Sequence, residues 1–246
     1  MSTCLLVYLL TLFTCLRGYV SLEMLKPINW KTFPRDFLVI EVGLGLFGFA
    51  IAMLIRGNLG ASSWAVFEVA MARILGVTPG TMVVIDGVWV LVLVLLLKEK
   101  IGWGTVANIL SIGPWEDLFL FLIPNMTNNL PIQILYFVVA VAAMGLASAI
   151  YIGVNAGAGP RDSFMLALKR TFGVSVNVAR TSIDVTIATA GILLGGPFGI
   201  GTVVFALLIG SSVQMGFKLL KVDPHRKKEI RETGIQVDTE TKETGK

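Results

Sequence analysis

Apolar residues along this chain occur in long runs, which short polar or glycine-rich turns separate. No charged residue occurs between Asp117 and Arg161 or between Asp184 and Lys218, and each of these two runs can hold two membrane helices of about 20 residues. The pattern predicts six long helical spans, at about 37–55, 80–97, 103–122, 132–153, 177–195 and 200–219.

Two further segments, at about 62–75 and 161–172, are too short to cross a bilayer. Each follows a break, Asn58-Leu59-Gly60-Ala61 in one case and Asn155-Ala156-Gly157-Ala158 in the other, at an offset of 155 − 58 = 97 residues. The same offset maps Gly102-x-Gly104-Thr105 onto Gly199-x-Gly201-Thr202. Small residues that recur at one offset indicate that the second half of the chain duplicates the first.

The basic residues indicate how these segments cross the membrane. If each short segment dips in and returns to the same side, Lys98 and the basic tail lie in the cytoplasm together with Lys31, and the uncharged turn at 124–131 is external. Only Arg56 and Arg73 disagree with this arrangement. Each half then contributes three spans, and the two halves have opposite orientations.

We therefore expect an all-α fold, a polytopic membrane helical bundle of about six spans in a 3+3 inverted repeat with two short re-entrant or interfacial helices. Composition agrees, because 15% of the residues are charged against about 25% in soluble domains. The net charge of +4 is modest and gives no reason to expect nucleic-acid binding. The expected units are an N-terminal segment at 1–35, a first membrane repeat at 36–123, a second membrane repeat at 131–220 and a polar cytoplasmic tail at 221–246.

The first 23 residues hold an apolar stretch that is short for a span and lacks the basic start of a signal peptide. Either an extra N-terminal helix or a start codon placed too early would account for it, since Met24 follows directly. We expect a chain that begins at Met24 to insert and to remain folded in detergent. Degradation or aggregation of that shortened chain alone would show that residues 1–23 form an integral helix.

The second break continues into Pro160-Arg161-Asp162, which has the features of a helix start. Pro160 suits the first helical position, and Asp162 complements the positive end of the helix. Backbone N–H groups there could bind an anion, with Arg161 beside them. The plainer alternative, preferred for Arg161 alone, is a tight loop whose charges face water or lipid headgroups.

Several charged residues lie within or near the apolar segments, among them Glu41, Glu68 and Asp86. A charge at the bilayer centre costs roughly 2.5–3.5 kcal/mol, so such residues tend to face a cavity or a partner. Arg180 and Asp184 are four residues apart and share a helix face, so pairing alone would explain them. The candidate substrate-binding residues are Asn58, Gly60, Ser62, Ser63, Asp86, Asn155, Gly157, Gly159, Arg161, Asp162, Arg180 and Asp184.

Two substitutions distinguish anion binding by Arg161 from ion pairing between Arg180 and Asp184. Replacing Arg161 with Gln is expected to weaken an anionic ligand and to leave folding nearly normal. Replacing Asp184 with Asn is expected to lower stability if Arg180 and Asp184 form a buried pair.

Other chemistry has little support. Cys4 and Cys15 both lie in the N-terminal apolar stretch, and His225 lies in the polar tail, so no disulfide framework, metal site or histidine relay is expected. No phosphate-binding loop, dinucleotide fingerprint or nucleophile elbow is present. We expect no enzyme activity, no cofactor and no metal.

The break and helix-start segments also resemble a known family. Asn58-Leu59-Gly60-Ala61-Ser62-Ser63-Trp64, Gly102-x-Gly104-Thr105-x-x-Asn108, Gly157-Ala158-Gly159-Pro160-Arg161-Asp162 and Gly199-Ile200-Gly201-Thr202 resemble the YczE/YitT-like group of bacterial integral membrane proteins, over about 35–220. Ser63-Trp64-Ala65 departs from that group, because it lacks an acidic residue after the tryptophan. The resemblance implies a multi-pass protein of the bacterial cell (inner) membrane, and it implies no substrate.

The expected function is that of a permease or secondary transporter for a small solute, with anions as the first candidates and the lipid bilayer as the surroundings. A non-transporting membrane scaffold, or an assembly or regulatory factor for a partner protein, is the alternative, and an enzyme acting on lipids is a weaker one. Polar residues that converge on an accessible cavity would favour transport, whereas a sealed apolar core with an exposed groove would favour the scaffold. The oligomeric state, a homodimer included, is left open.

Overall fold

A computed structural model of the chain describes residues 28, 30–99, 101–126 and 129–221, and within them the chain forms eight α-helices and no strand. The expected all-α architecture is therefore confirmed. The apolar stretch at 1–23 with both cysteines, and the tail beyond position 221 with His225, lie outside the described residues. The helices are α1 Phe33–Gly57, α2 Ser63–Leu75, α3 Pro79–Leu96, α4 Trp103–Leu122, α5 Leu130–Gly153, α6 Pro160–Phe172, α7 Val176–Leu193 and α8 Ile200–Leu219.

Four of these helices, α1, α3, α5 and α8, are long and apolar enough to cross a membrane. The helices α4 and α7 have similar lengths, 20 and 18 residues, but they carry charged side chains such as Glu116 and Asp184 and are less apolar. Charged residues in such helices normally face the protein interior or a water-filled cavity. Four candidate spans are thus found where six were expected, and the 3+3 arrangement remains a prediction.

The two short helices begin with strong local signals. The Ser62 hydroxyl oxygen accepts a hydrogen bond from the Ala65 N–H and caps α2. Pro160 occupies the first position of α6, where its fixed φ suits a helix and its missing N–H costs nothing. These signals explain why both segments fold as helices of 13 residues, although neither is long enough to span the bilayer.

Helix bounds in the second half repeat those in the first half at the offset of 97. The helices α6, α7 and α8 begin and end 97 residues after α2, α3 and α4 (160 − 63, 176 − 79 and 200 − 103 all equal 97), and α5 begins 97 residues after α1. The left-handed backbone positions also correspond, with φ of 56° at Asn58 and 58° at Asn155. The two halves therefore share the same succession of helices and breaks.

Each break packs against a helix start of the opposite half. The N–H of Gly201, at the start of α8, donates to the Leu59 carbonyl in the first break at 2.8 Å. In the same way, the N–H of Gly104, at the start of α4, donates to the Ala156 carbonyl in the second break at 3.1 Å. Buried backbone N–H and C=O groups need hydrogen-bond partners, and each half here supplies them to the other.

Glycine is required at the centre of both breaks. Gly60 has φ of +128° and Gly157 has φ of +136°, in a region that side chains disfavour. A Cβ on Gly60 would lie 2.6 Å from the Thr202 nitrogen, and one on Gly157 would lie 2.9 Å from the Thr105 Oγ1. No side chain fits at either position without moving the two halves apart.

At the centre of the bundle, α1 packs against α4 and α5, and α5 also packs against α8. The core between them consists of fully buried aliphatic residues such as Leu44, Ile51 and Ala140. The short helix α2 packs against α7, and its counterpart α6 packs against α3. This cross-packing places both short helices between the halves.

The two halves differ in one respect. In the first half, α3 and α4 pack closely, and Asp117 accepts hydrogen bonds from the Gly80 N–H at 2.9 Å and from the Thr78 hydroxyl. In the second half, α7 and α8 barely touch. A Cβ on Gly113 of α4 would lie 3.0 Å from the Gly80 carbonyl carbon, whereas nothing lies within 4 Å of a Cβ on Gly210, its counterpart on α8 (210 − 113 = 97). We call the surface along which α3 meets α4, and its counterpart between α7 and α8, the seam of each half. The seam of the first half is closed, and that of the second half is open.

Candidate functional site

A cavity of roughly 240 Å³ lies where α2 and α6 begin, next to the open seam between α7 and α8. Much of its wall is apolar, with Ile51, Ile112 and Phe205 among the lining residues. The polar lining comes from both halves and includes Ser62, Ser63, Asn108, Ser148, Tyr151, Arg161, Asp162, Arg180 and Asp184. Both broken segments therefore contribute polar groups to one space.

Arg161 is the central charged residue of this cavity. Its guanidinium forms an ion pair with Glu68, and its Nη2 lies 3.7 Å from Asp86 Oδ2. The guanidinium also covers the ring of Trp64, 4.5 Å from the ring centroid, in a cation–π contact. The Arg161 side chain is 27% exposed and that of Glu68 is 1% exposed, so Arg161 connects the cavity with carboxylates buried behind it.

The first turn of α6 faces the same cavity. No side chain caps it, in contrast to α2, whose first turn Ser62 caps. Asp162 accepts a hydrogen bond from the Tyr151 hydroxyl at 2.8 Å, which fixes its carboxylate beside α5. The positive end of the α6 dipole therefore lies at the cavity, where Asp162 of the first turn partly offsets it.

Arg180 and Asp184 pair loosely on α7. The Arg180 Nε lies 3.8 Å from Asp184 Oδ2, and the two side chains are 54% and 38% exposed. The predicted pairing at a spacing of four residues is present, but the pair is not buried. Both side chains line the cavity and remain accessible to a solute.

Three carboxyl groups lie buried around this site. Glu68, Asp86 and Glu116 each have one carboxyl oxygen that is buried without a hydrogen-bond partner. Glu116 is 1% exposed, and it lies close enough to Glu68 and Arg161 to interact with both electrostatically. No ion pair among the described residues includes Glu116, and no group of acidic, histidine or cysteine side chains there has the arrangement of a metal site.

The structure brings most of the predicted site residues together. Asp86 contacts Arg161 from behind the cavity. Four others belong to the breaks that pack against the opposite half, namely Asn58, Gly60, Asn155 and Gly157. The seven that line the cavity are Ser62, Ser63, Gly159, Arg161, Asp162, Arg180 and Asp184.

Some members of this site are not among the residues predicted from the sequence. Glu68 was noted only as a charge near an apolar segment, and its pairing with Arg161 was not foreseen. A carboxylate within a short apolar helix is a signal that could have found it, because such a charge needs a partner. No sequence signal marks Tyr151 or Trp64, whose positions depend on how distant helices pack.

Comparison with known proteins gives relatives over most of the chain. A sequence profile described as "Family of unknown function (DUF6198)" matches residues 34–218. An uncharacterized protein of Haemophilus influenzae is 28% identical over 196 residues, which cover 80% of this chain and 89% of that protein. The uncharacterized membrane protein YczE of Bacillus subtilis is 31% identical over 172 residues, with coverages of 68% and 79%. The uncharacterized protein YyaS of the same organism is 25% identical over 178 residues, with coverages of 71% and 88%. No solved structure matches the chain.

Proposed function

We propose that this protein, which belongs to the family of unknown function DUF6198, carries out secondary transport of a small solute that carries an anionic group. Family membership confirms the predicted YczE-like resemblance but assigns no activity, so the proposal is based on the cavity. The chain is a membrane protein, and four of its helices are long and apolar enough to cross a membrane. The observation that carries the proposal is the convergence of both broken segments on one cavity that holds a guanidinium. Broken helices that meet at a central site are typical of secondary transporters.

The size and walls of the cavity support a small organic or inorganic solute. Its volume of roughly 240 Å³ is below the range of about 300–1,000 Å³ that is common for ligand pockets, so a large lipid or cofactor does not fit. The mixture of apolar wall and a few polar groups is typical of a specific small-molecule site.

The positive groups at the cavity support an anionic substituent on the solute. Arg161 presents its guanidinium from the first turn of α6, and that turn adds the positive end of a helix dipole. Arg180 also lines the cavity, with a half-exposed side chain beside Asp184, so the lining holds two guanidinium groups and the two carboxyl groups of Asp162 and Asp184. A planar guanidinium matches the geometry of carboxylate and phosphate oxygens.

The difference between the two halves supports a mechanism. We infer a 3+3 inverted repeat with the tail in the cytoplasm, in which the halves exchange conformations during transport. The closed seam between α3 and α4 would then open while the seam between α7 and α8 closes, and the cavity would face the other side of the membrane. Helix bounds that repeat at one offset give the two halves equivalent parts for such an exchange.

The charged side chains that line the cavity favour transport over the scaffold alternative. A scaffold needs an outer surface for its partner, and it gains nothing from ionisable residues that each cost roughly 2.5–3.5 kcal/mol at membrane depth. A solute pathway needs such residues to replace the water that the solute loses. The cavity-lining charges Arg161, Asp162, Arg180 and Asp184 therefore favour transport.

The test is a thermal-shift screen of the purified chain, followed by uptake into liposomes. The panel contains inorganic phosphate, sulfate, succinate and other small carboxylates, together with neutral sugars and amines. At a concentration of 100 times Kd, a binding anion should stabilise the protein by about 2.7 kcal/mol. Stabilisation by neutral or cationic solutes alone would contradict the anionic class, and a panel without any stabilisation or uptake would contradict transport.

A further inference from the structure

We propose that the carboxyl groups of Glu68, Asp86 and Glu116 form a proton store behind the cavity, and that the anionic solute crosses the membrane together with a proton from it. We call these three groups the acid cluster. The coupling to solute rests on the proposed transport function, whereas proton binding by the acid cluster does not. The two parts can therefore be tested separately.

The first argument is a count of charges. One guanidinium, that of Arg161, lies among three carboxyl groups, so the full set would carry 1 − 3 = −2 if every group were ionised. Uncompensated charges in an apolar interior are so costly that such groups take up protons instead. Protonation of one carboxyl group reduces the excess charge to −1, and protonation of two removes it.

The second argument comes from unpaired atoms. Glu68 and Glu116 are each 1% exposed, and each has an oxygen without a hydrogen-bond partner, as does Asp86. An ionised carboxylate needs donors at both oxygens, while a protonated carboxyl carries its own hydrogen and loses less when it is buried. The acid cluster therefore suits the protonated form at one or more positions.

Among the ion pairs of the described residues, Arg161 is the cation that contacts the acid cluster. Arg180 pairs with Asp184 on α7, and Arg170 pairs with Glu99 away from the cavity. The remaining acids on the packed helices have their own donors. Asp117 accepts from Gly80 and Thr78, Asp162 accepts from Tyr151, and Glu41 on α1 accepts from Ser111 and Trp115.

Arg161 links the acid cluster to the solute, because it contacts Glu68 and Asp86 on one side and lines the cavity on the other. An anion that binds the guanidinium adds negative charge beside these carboxyl groups and raises their affinity for protons. By reciprocity, a proton on the acid cluster leaves Arg161 freer to hold the anion. Solute and proton therefore bind together and are released together.

Proton storage is tested on the purified full chain by infrared spectroscopy across a pH titration. We expect the C=O band of a protonated, buried carboxylic acid at neutral pH, and we expect Glu116→Gln and Glu68→Gln each to reduce it. Glutamine has the shape of a protonated glutamic acid, so both variants should fold. Glu99→Gln, which changes a carboxyl paired with Arg170, is the control and should leave the band unchanged. A missing band, or a band that none of Glu68→Gln, Asp86→Asn and Glu116→Gln affects, would overturn the proton store.

Coupling is tested in liposomes that contain the protein and a pH dye, with inorganic phosphate, sulfate or succinate added outside in turn. Sulfate exchanges no protons near neutral pH and reports proton entry directly, whereas phosphate and succinate are compared with Glu116→Gln liposomes at equal anion uptake. An anion that enters should acidify the interior, and Glu116→Gln should abolish the acidification. Anion entry without acidification would overturn the coupling and leave transport standing. If no anion enters although the infrared band is present, the proposed transport fails and the proton store remains.

Discussion

Replacing Arg161 with Gln is expected to abolish stabilisation by anions and to lower the stability of the protein by roughly 3–5 kcal/mol at neutral pH. The first effect follows from losing the guanidinium that lines the cavity. The second follows because Glu68, which is 1% exposed, would lose its ion-pair partner, so that it must either stay buried as an unpaired charge or take up a proton at neutral pH, and both are costly. The measurements are thermal unfolding without solute and the shift that each anion produces. The ion pair with Glu68 thus changes the expectation from sequence, which was nearly normal folding.

Two variants control for this result. Arg170→Gln removes the same charge from the same helix, but Arg170 is 50% exposed, so the cost should stay below about 1 kcal/mol. The double variant Glu68→Gln with Arg161→Gln should recover much of the stability and none of the anion response. If Arg161→Gln is as stable as Arg170→Gln, or if it still responds to anions, the assigned role of Arg161 is wrong. For Asp184→Asn only a small loss of stability is now expected, because its pair with Arg180 is half-exposed.

A disulfide between positions 78 and 117 is expected to reduce solute uptake to background, and a reducing agent should restore it. Thr78 donates a hydrogen bond to Asp117, so cysteines at these positions would face each other across the seam, and a bond between them would lock α3 against α4. Cys4 and Cys15 are first replaced by Ser, since they are the two native cysteines. Transport by the locked protein would contradict the opening of this seam.

Cysteines at the equivalent positions of the second half test whether the seam between α7 and α8 closes during transport. Ser175 and Gln214 correspond to Thr78 and Asp117 (175 − 78 and 214 − 117 both equal 97), but they lie on α7 and α8 or at their ends, where the seam is open. Cysteines at 175 and 214 should cross-link only when this seam closes, and a transported anion should speed the reaction. The single variants Asp117→Cys and Gln214→Cys must transport for the test to count. A pair at 175 and 214 that never joins during uptake would exclude the exchange of conformations.

Helices and breaks could be predicted because their signals are local. Asparagine and glycine at the breaks, and small residues at the helix starts, recur at one offset, so that each half supported the interpretation of the other. The structure places α2 at Ser63–Leu75 and α6 at Pro160–Phe172, within two residues of the expected segments. Local propensity and capping are enough to define such elements.

The site could be predicted only in part, because its central contact is not local. Arg161 and Glu68 are separated by 93 residues and meet because two short helices pack between the halves. Hydrophobic periodicity gives the face of a helix but not its neighbour, so neither this ion pair nor the burial of Glu116 could be deduced. The open seam between α7 and α8 could not be predicted either, because Gly113 and Gly210 occupy equivalent places in the sequence and differ only in what packs against them.

The reciprocal pairing of breaks and helix starts has a consequence for biosynthesis. The Leu59 carbonyl meets its donor, the Gly201 N–H, only after 201 − 59 = 142 further residues have been made, whereas the donor for Ala156 already exists when that residue emerges from the ribosome. The first half can thus enter the membrane early but stays incomplete until the last helix arrives. An unsatisfied backbone carbonyl in the bilayer costs several kcal/mol, so the first half alone is expected to be less stable than it is within the complete chain. Synthesis therefore ends in one late closing step, and neither half is expected to mature on its own.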